Sequence, residues 1–228
     1  MSVLILLLLI ILFIYGPQLW AKRILARHSE NRDIFPGTGI GFAQHLLERM
    51  KMPQVKVEVT QGGDHYDPLD KALRLSQKNC GNKSLTAMVV AAHEVGHAIQ
   101  HQRNEPKLAL RHRLVKVAQT TQQLGAGAMF LLPVALAITR APSAGLVMAA
   151  IGLGSMASAT LVHLVTLPVE IDASFGKALP VLMAGHYIQP EDEIAVRRVL
   201  RAAAFTYVAS SLASLLNLAR WLAFLRRA

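Results

Sequence analysis

One cysteine, Cys80, stands in 228 residues. Its isolation excludes an internal disulfide framework and any cluster of cysteines around a metal, leaving a single thiolate at most. Acids are scarce as well, 14 Asp and Glu against 24 Lys and Arg, for a net charge of +10. Charged residues are 17% of the chain and hydrophobic ones 53%, which is too apolar for an ordinary soluble surface and opposite to a disordered composition. The sequence shows no internal repeat, low-complexity tract or long flexible linker.

In their place are apolar runs. Val3 to Trp20 is almost purely apolar. A dozen strong apolar residues there favour insertion into a bilayer by roughly −5 kcal/mol. No basic region precedes the run, and Leu19-Trp20-Ala21 is a poor cleavage site, so an anchor is expected rather than a cleaved signal. Lys22, Arg23 and Arg27 follow it, which places that side in the cytoplasm by the positive-inside rule. Leu124 to Ile138 and Gly145 to Leu167 are separated by a short connection and read as a transmembrane hairpin, the second half rich in Gly, Ala and Ser. Ala202 to Phe224 reads as a fourth, weaker span. The fold class expected is a mainly α membrane protein of about four transmembrane helices. The lipid bilayer is then a partner, and an anionic leaflet accounts for the basic excess without nucleic acid.

Between the first two runs the pattern changes. Phe42 to Met50 is amphipathic with helical period and is closed by Pro53. Val55 to Val59 and Ala72 to Leu75 alternate as short strands, with turns at Gly62-Gly63-Asp64 and Asp67-Pro68. The second strand is expected to pair with an extended peptide. Ser84 to Gln102 reads as a long helix capped near Asn82 to Ser84. That helix carries His93-Glu94-Val95-Gly96-His97. Histidines four apart share one face and converge on one Zn²⁺, and the glutamate between them acts as general base toward a zinc-bound water. Chance alone yields the pattern in about 1% of chains of this composition. Ala91, Ala92, Ala98 and Ile99 surround it with apolar residues, which argues against a solvated helix face.

A catalytic zinc usually takes three protein ligands. His101 lies eight residues beyond His93, about 12 Å along the axis, so it cannot share an ion with it; a solvated or capping role is expected. Glu170, in Leu167-Pro-Val-Glu170-Ile-Asp-Ala-Ser174, is the expected third ligand, projecting from the first turn of a helix entered at Pro168. The alternative is an acid that stabilises a helix start. Ala173, Ser174 and Gly176 are small enough to pack against the Gly96 face. Accessory candidates for stabilising charge in the transition state are His65, Tyr66 and Tyr207, with His163, Arg197 and Arg198 weaker; Arg197, Arg198 and Arg201 also suit positive-inside anchoring. Asp172 is an accessory candidate for orienting a ligating imidazole.

The HEVGHAIQH helix, the preceding Asp64-His-Tyr-Asp-Pro68 and the later LPVEIDAS together resemble the YugP-type membrane zinc metallopeptidases over nearly the whole chain. That family is similar to the larger group of integral-membrane gluzincins that includes HtpX and the prenyl-protein protease. The resemblance implies His93, His97 and Glu170 as ligands of one zinc per chain, Glu94 as the catalytic residue, and a bacterial inner or plasma membrane with the site facing the cytoplasm. In the larger group an aspartate follows the glutamate by four residues; here that position is Ser174, and Asp172 stands two earlier.

The organisation expected is a transmembrane anchor at 1–20, a cytoplasmic α+β zincin-like catalytic segment at 21–123, the hairpin at 124–167, a cytoplasmic segment carrying the third ligand at 168–201, and a C-terminal transmembrane helix at 202–228. The function expected is zinc-dependent endopeptidase action on protein or peptide substrates associated with the membrane. The rival is a non-proteolytic zinc-containing membrane scaffold or adaptor, which would not require Glu94.

Overall fold

A computed structural model describes residues 2–35, 37–139 and 142–205. The chain divides into two compact units, Met1–Leu108 with Leu167–Thr206, and Ala109–Thr166 with Tyr207–Ala228. Its elements in order are α1 (Ser2–Arg27), α2 (Gly39–Arg49), β1 (Lys56–Thr60), β2 (His65–Asp67), β3 (Ala72–Ser76), α3 (Gln77–Gly81), α4 (Leu85–Gln102), α5 (Pro106–Thr139) and α6 (Pro142–Ile171). A π-helical turn, Asp172–Ala178, and α7 (Leu179–Ala184) follow α6 directly, and residues 193–205 are again helical.

In the first unit α4 is the central element. Sixteen of its eighteen residues, Leu85 through Gln100, are buried, polar and apolar alike, so it is the core helix rather than one with a wet face. Ser84 caps it by accepting from the Ala87 N–H at 3.2 Å. Thr86 ties its first turn to the end of α1: its N–H donates to the His28 carbonyl and its hydroxyl to that of Leu25. Phe42, Leu46 and Leu47 of α2, Leu73 and Leu75 of β3, and Leu179 and Leu182 of α7 complete the core. Each such side chain contributes roughly 1.5–3 kcal/mol when fully buried. Helices α2, α4 and α7 all end in the same cap, with Lys51, Asn104 and His186 in the left-handed region. The following residues, Met52, Glu105 and Tyr187, donate back to Leu47, Gln100 and Leu182.

The sheet order is β1-β3-β2, with β1 parallel and β2 antiparallel to β3. The alternation of 72–75 is therefore that of a central strand, and both its edges are occupied. This corrects the expectation that it pairs with a peptide; the outer edges belong to β1 and β2. Sequence patterning missed β2 because three residues are too few to show alternation.

In the second unit, small residues let α5 and α6 approach closely. A Cβ on Gly125 would stand 2.6 Å from Ser155 Oγ, and Thr121 and Ser158 share a 2.8 Å hydrogen bond.

The expected architecture of about four transmembrane helices is overturned: among the described residues no helix is long and apolar enough to cross a membrane. The observed class is mostly helical with a small three-stranded sheet. The apolar runs are parts of longer helices rather than elements in themselves. The 124–138 run is the second half of α5, whose first half carries Lys107, Arg111, Arg113 and Lys116, and Lys22, Arg23 and Arg27 belong to α1. Most of the expected last span, 202–228, lies outside the described residues, Tyr207 included. Pro168 is likewise not a helix entry. It sits inside α6, whose helical backbone runs without a break into the π-helical turn, so Glu170 stands within a continuous helical stretch rather than at a helix start.

Gly96 is where α4 meets the π-helical turn. A Cβ there would stand 2.5 Å from the Ala173 carbonyl oxygen. Gly96→Ala is expected to lower the unfolding free energy by about 1–3 kcal/mol, the range for overpacked cores, as read by chemical denaturation; unchanged stability would mean that the two helices part without cost.

Candidate metal centre

α4 supplies His93 and His97, one turn apart, and the end of α6 supplies Glu170. His93 and His97 are 4% and 6% exposed and Glu170 is fully buried. Nε2 of His93 and Nε2 of His97 lie 3.2 and 3.3 Å from the same oxygen, Glu170 Oε2. One ligand atom from each of the three residues falls within 4.8 Å of the others, which makes this a group able to hold a metal ion.

The hydrogens decide what the three atoms need. Gln100, 1% exposed, directs its amide nitrogen at two pure acceptors, the Val169 carbonyl at 3.0 Å and Asp172 Oδ2 at 2.7 Å. Its Oε1 therefore faces His97 Nδ1, at 2.9 Å, and accepts that N–H. Ser174 Oγ lies 3.0 Å from His93 Nδ1 and 3.3 Å from the Leu200 carbonyl, so it can accept from the ring while donating to the carbonyl. With the ring proton on Nδ1 alone, each imidazole turns its Nε2 lone pair toward Glu170, the form that can bind a cation; with a proton on Nε2 it donates to the carboxylate. In the first form the three atoms suit a cation in this dry pocket. The spacing suits one: ligand atoms of a tetrahedral zinc at 2.0–2.1 Å stand about 3.3–3.4 Å apart. Burial works against the charge on Glu170, but positive charge and hydrogen bonds from His97 and His93 outweigh it and hold the carboxyl well below its ordinary range.

Glu94 follows His93 on α4 and is 5% exposed. Asp172 touches neither histidine; it reaches His97 only through Gln100 and is bound at 2.8 Å by Lys177, which also pairs with Glu105 at 2.9 Å. Burial opposes ionisation of Asp172, while the bonds from Lys177 and Gln100 lower its pKa. Tyr66 on β2 shares a 2.8 Å hydrogen bond with His101 Nδ1, so His101 is a partly buried partner rather than a solvated or capping residue. Burial and the neighbouring Asp67 push the Tyr66 hydroxyl up to about 12, which keeps it protonated over the physiological range. His65 is exposed and its Nδ1 donates to the Gly63 carbonyl in its own turn. Arg197 pairs with Glu193, Arg198 and Arg201 are exposed on the 193–205 helix, and His163 belongs to the second unit.

Gln100 and Ser174 were missed by sequence reasoning. Gln100 is one turn past His97 on a helix with no wet face, and Ser174 one turn past Glu170, and in the structure each has a buried partner.

Compared with known proteins, residues 3–226 match the family described as "Putative neutral zinc metallopeptidase". The "Putative membrane protease YugP" of Bacillus subtilis (strain 168) is 34% identical over 212 residues, 90% of each chain. No solved structure matches.

Because a metal held by buried groups binds the native state alone, chelation is expected to lower the thermal midpoint and added zinc to restore it. At a thousandfold excess over Kd the stabilisation is about 4 kcal/mol. His93→Ala should abolish the response; a midpoint indifferent to chelator in the wild type would exclude a bound metal.

Proposed function

The chain belongs to the neutral zinc metallopeptidase family, and on that premise we propose that it hydrolyses peptide bonds at a zinc centre held by His93, His97 and Glu170, with Glu94 as its general base. The observation that carries this reading is the convergence of two imidazole nitrogens and one carboxylate oxygen, a ligand set that leaves a fourth position for reaction. Zinc held there supplies Lewis acidity that polarises a scissile carbonyl.

The side chains do the rest. Glu94, carried on the same helix as both histidines, takes a proton from the attacking water and delivers it to the leaving amine. Its burial keeps competing water from that carboxylate. Tyr66, protonated and bonded to His101 one turn beyond His97, is a candidate donor to the oxygen that gains charge. We place the activity at a bacterial membrane, on protein or peptide segments presented there. The name of the Bacillus relative and the +10 charge, suited to an anionic leaflet, support this. Cleavage of a detached soluble peptide as efficiently as of its membrane-bound parent would remove that part of the reading.

Glu94→Gln separates a peptidase from a zinc-containing scaffold. Zinc content is expected to stay at one per chain while casein cleavage falls by about 10²- to 10⁴-fold, the usual contribution of a positioned acid–base group. Undiminished cleavage by the variant would contradict the assignment.

A further inference from the structure

We propose that Gln100 is a positioning residue of the zinc centre, which selects the tautomer of His97 and holds its ring through a chain of bonds ending on Lys177 and Glu105. This rests on the zinc reading above. Partners that hold a ligating imidazole from behind are commonly carboxylates or backbone carbonyls. Here the group behind His97 is a neutral amide, and the carboxylate stands one step further out. Asp172 Oδ2 accepts from Gln100 at 2.7 Å and from Lys177 Nζ at 2.8 Å, and Lys177 reaches Glu105 at 2.9 Å.

The order of groups has a physical reason. Gln100 Nε2 must donate to the Val169 carbonyl as well as to Asp172, which a carboxylate at position 100 could not do. A carboxylate there would also face Asp172 inside the protein, two like charges at hydrogen-bond distance. With the amide in place its orientation is forced: both acceptors claim the nitrogen end, so the oxygen end is left for His97 Nδ1–H, and Nε2 is left bare. A flipped amide would offer N–H to Nδ1 and turn the ring to the tautomer that cannot bind through Nε2. Gly176 keeps room for this arrangement, because a Cβ there would run into Asp172 Oδ1. The chain thus joins the motif helix, the π-helical turn and the residue preceding α5 into one support for His97. It also leaves the centre with a single ligand charge, that of Glu170.

The test is zinc affinity of the full-length purified protein, measured by competition with a chromogenic chelator, together with the ligand-field spectrum of the Co²⁺-loaded protein. Gln100→Leu, near in volume but without hydrogen bonds, is expected to weaken zinc by about 10- to 100-fold, the usual cost of removing such a partner, and to shift the cobalt bands. Gln100→Glu is expected to weaken it as well, despite the added negative charge. Asp172→Ala, which releases one of the two locks on the amide, is expected to fall between wild type and Gln100→Leu. Should Gln100→Leu fail to fold, Asp172→Ala carries the decision. Wild-type affinity and an unshifted cobalt spectrum in the folded variants, with zinc still lost in His93→Ala, would overturn the positioning role and leave the zinc reading standing. A wild-type protein that takes up no zinc would overturn both.

Discussion

Two imidazole nitrogens and one carboxylate oxygen pressed together in a dry pocket are the constraint that the rest of the site answers to. An unpaired buried carboxylate or a pair of opposed lone pairs costs several kcal/mol, and a chain of this size has only about 5–15 kcal/mol of net stability. Well-placed groups behind the two rings favour the form that binds a cation. Gln100 Oε1 and Ser174 Oγ lie behind Nδ1 of His97 and His93, where they can accept a ring proton and leave Nε2 for an ion. A cation is what makes that arrangement favourable, and the fold is built to keep it.

Several otherwise odd features follow from this. Gly96 sits inside a helix, where glycine costs about 1 kcal/mol against alanine, because the Ala173 carbonyl occupies the space of its missing side chain. That approach is what brings the end of α6 against the histidine face. The π-helical run at Asp172–Ala178 begins two residues after Glu170, and such turns are frequent at functional positions. Through it, Glu170 and Ser174 meet opposite nitrogens of the same His93 ring. At the other end of α4, the Ser84 cap and the Thr86 bonds to α1 fix the start of the helix, so its two histidines are carried on an element anchored along its whole length.

Much of this was legible in the sequence, and the parts that were not have separate causes. Long periodic or alternating stretches showed themselves: α2, β1, β3 and α4 lie where patterning places them, with Ser84 as the cap. The two histidines are readable because a four-residue spacing has one geometric meaning on a helix. Glu170 is readable by chemistry, as an acid in a run otherwise poor in them, although it stands inside a continuous helical stretch rather than at a helix start. Pro168 looks like a start signal, yet a proline inside a helix forfeits one hydrogen bond, which the surroundings of α6 sustain. The apolar runs were over-read: hydropathy marks where a stretch is greasy, not where a helix begins and ends, and Pro106–Thr139 joins a basic, polar half to an apolar one. Gln100 and Ser174 escaped because a lone Gln or Ser has no pattern; only the tertiary partner gives it meaning.

Zinc K-edge X-ray absorption on the purified wild-type protein tests the central claim most directly. Two imidazole nitrogens at about 2.0–2.1 Å and carboxylate oxygen at about 2.0–2.2 Å, with no sulfur, are the expected shell. A sulfur scatterer from Cys80, or an all-oxygen shell without the imidazole multiple-scattering pattern, would contradict the account.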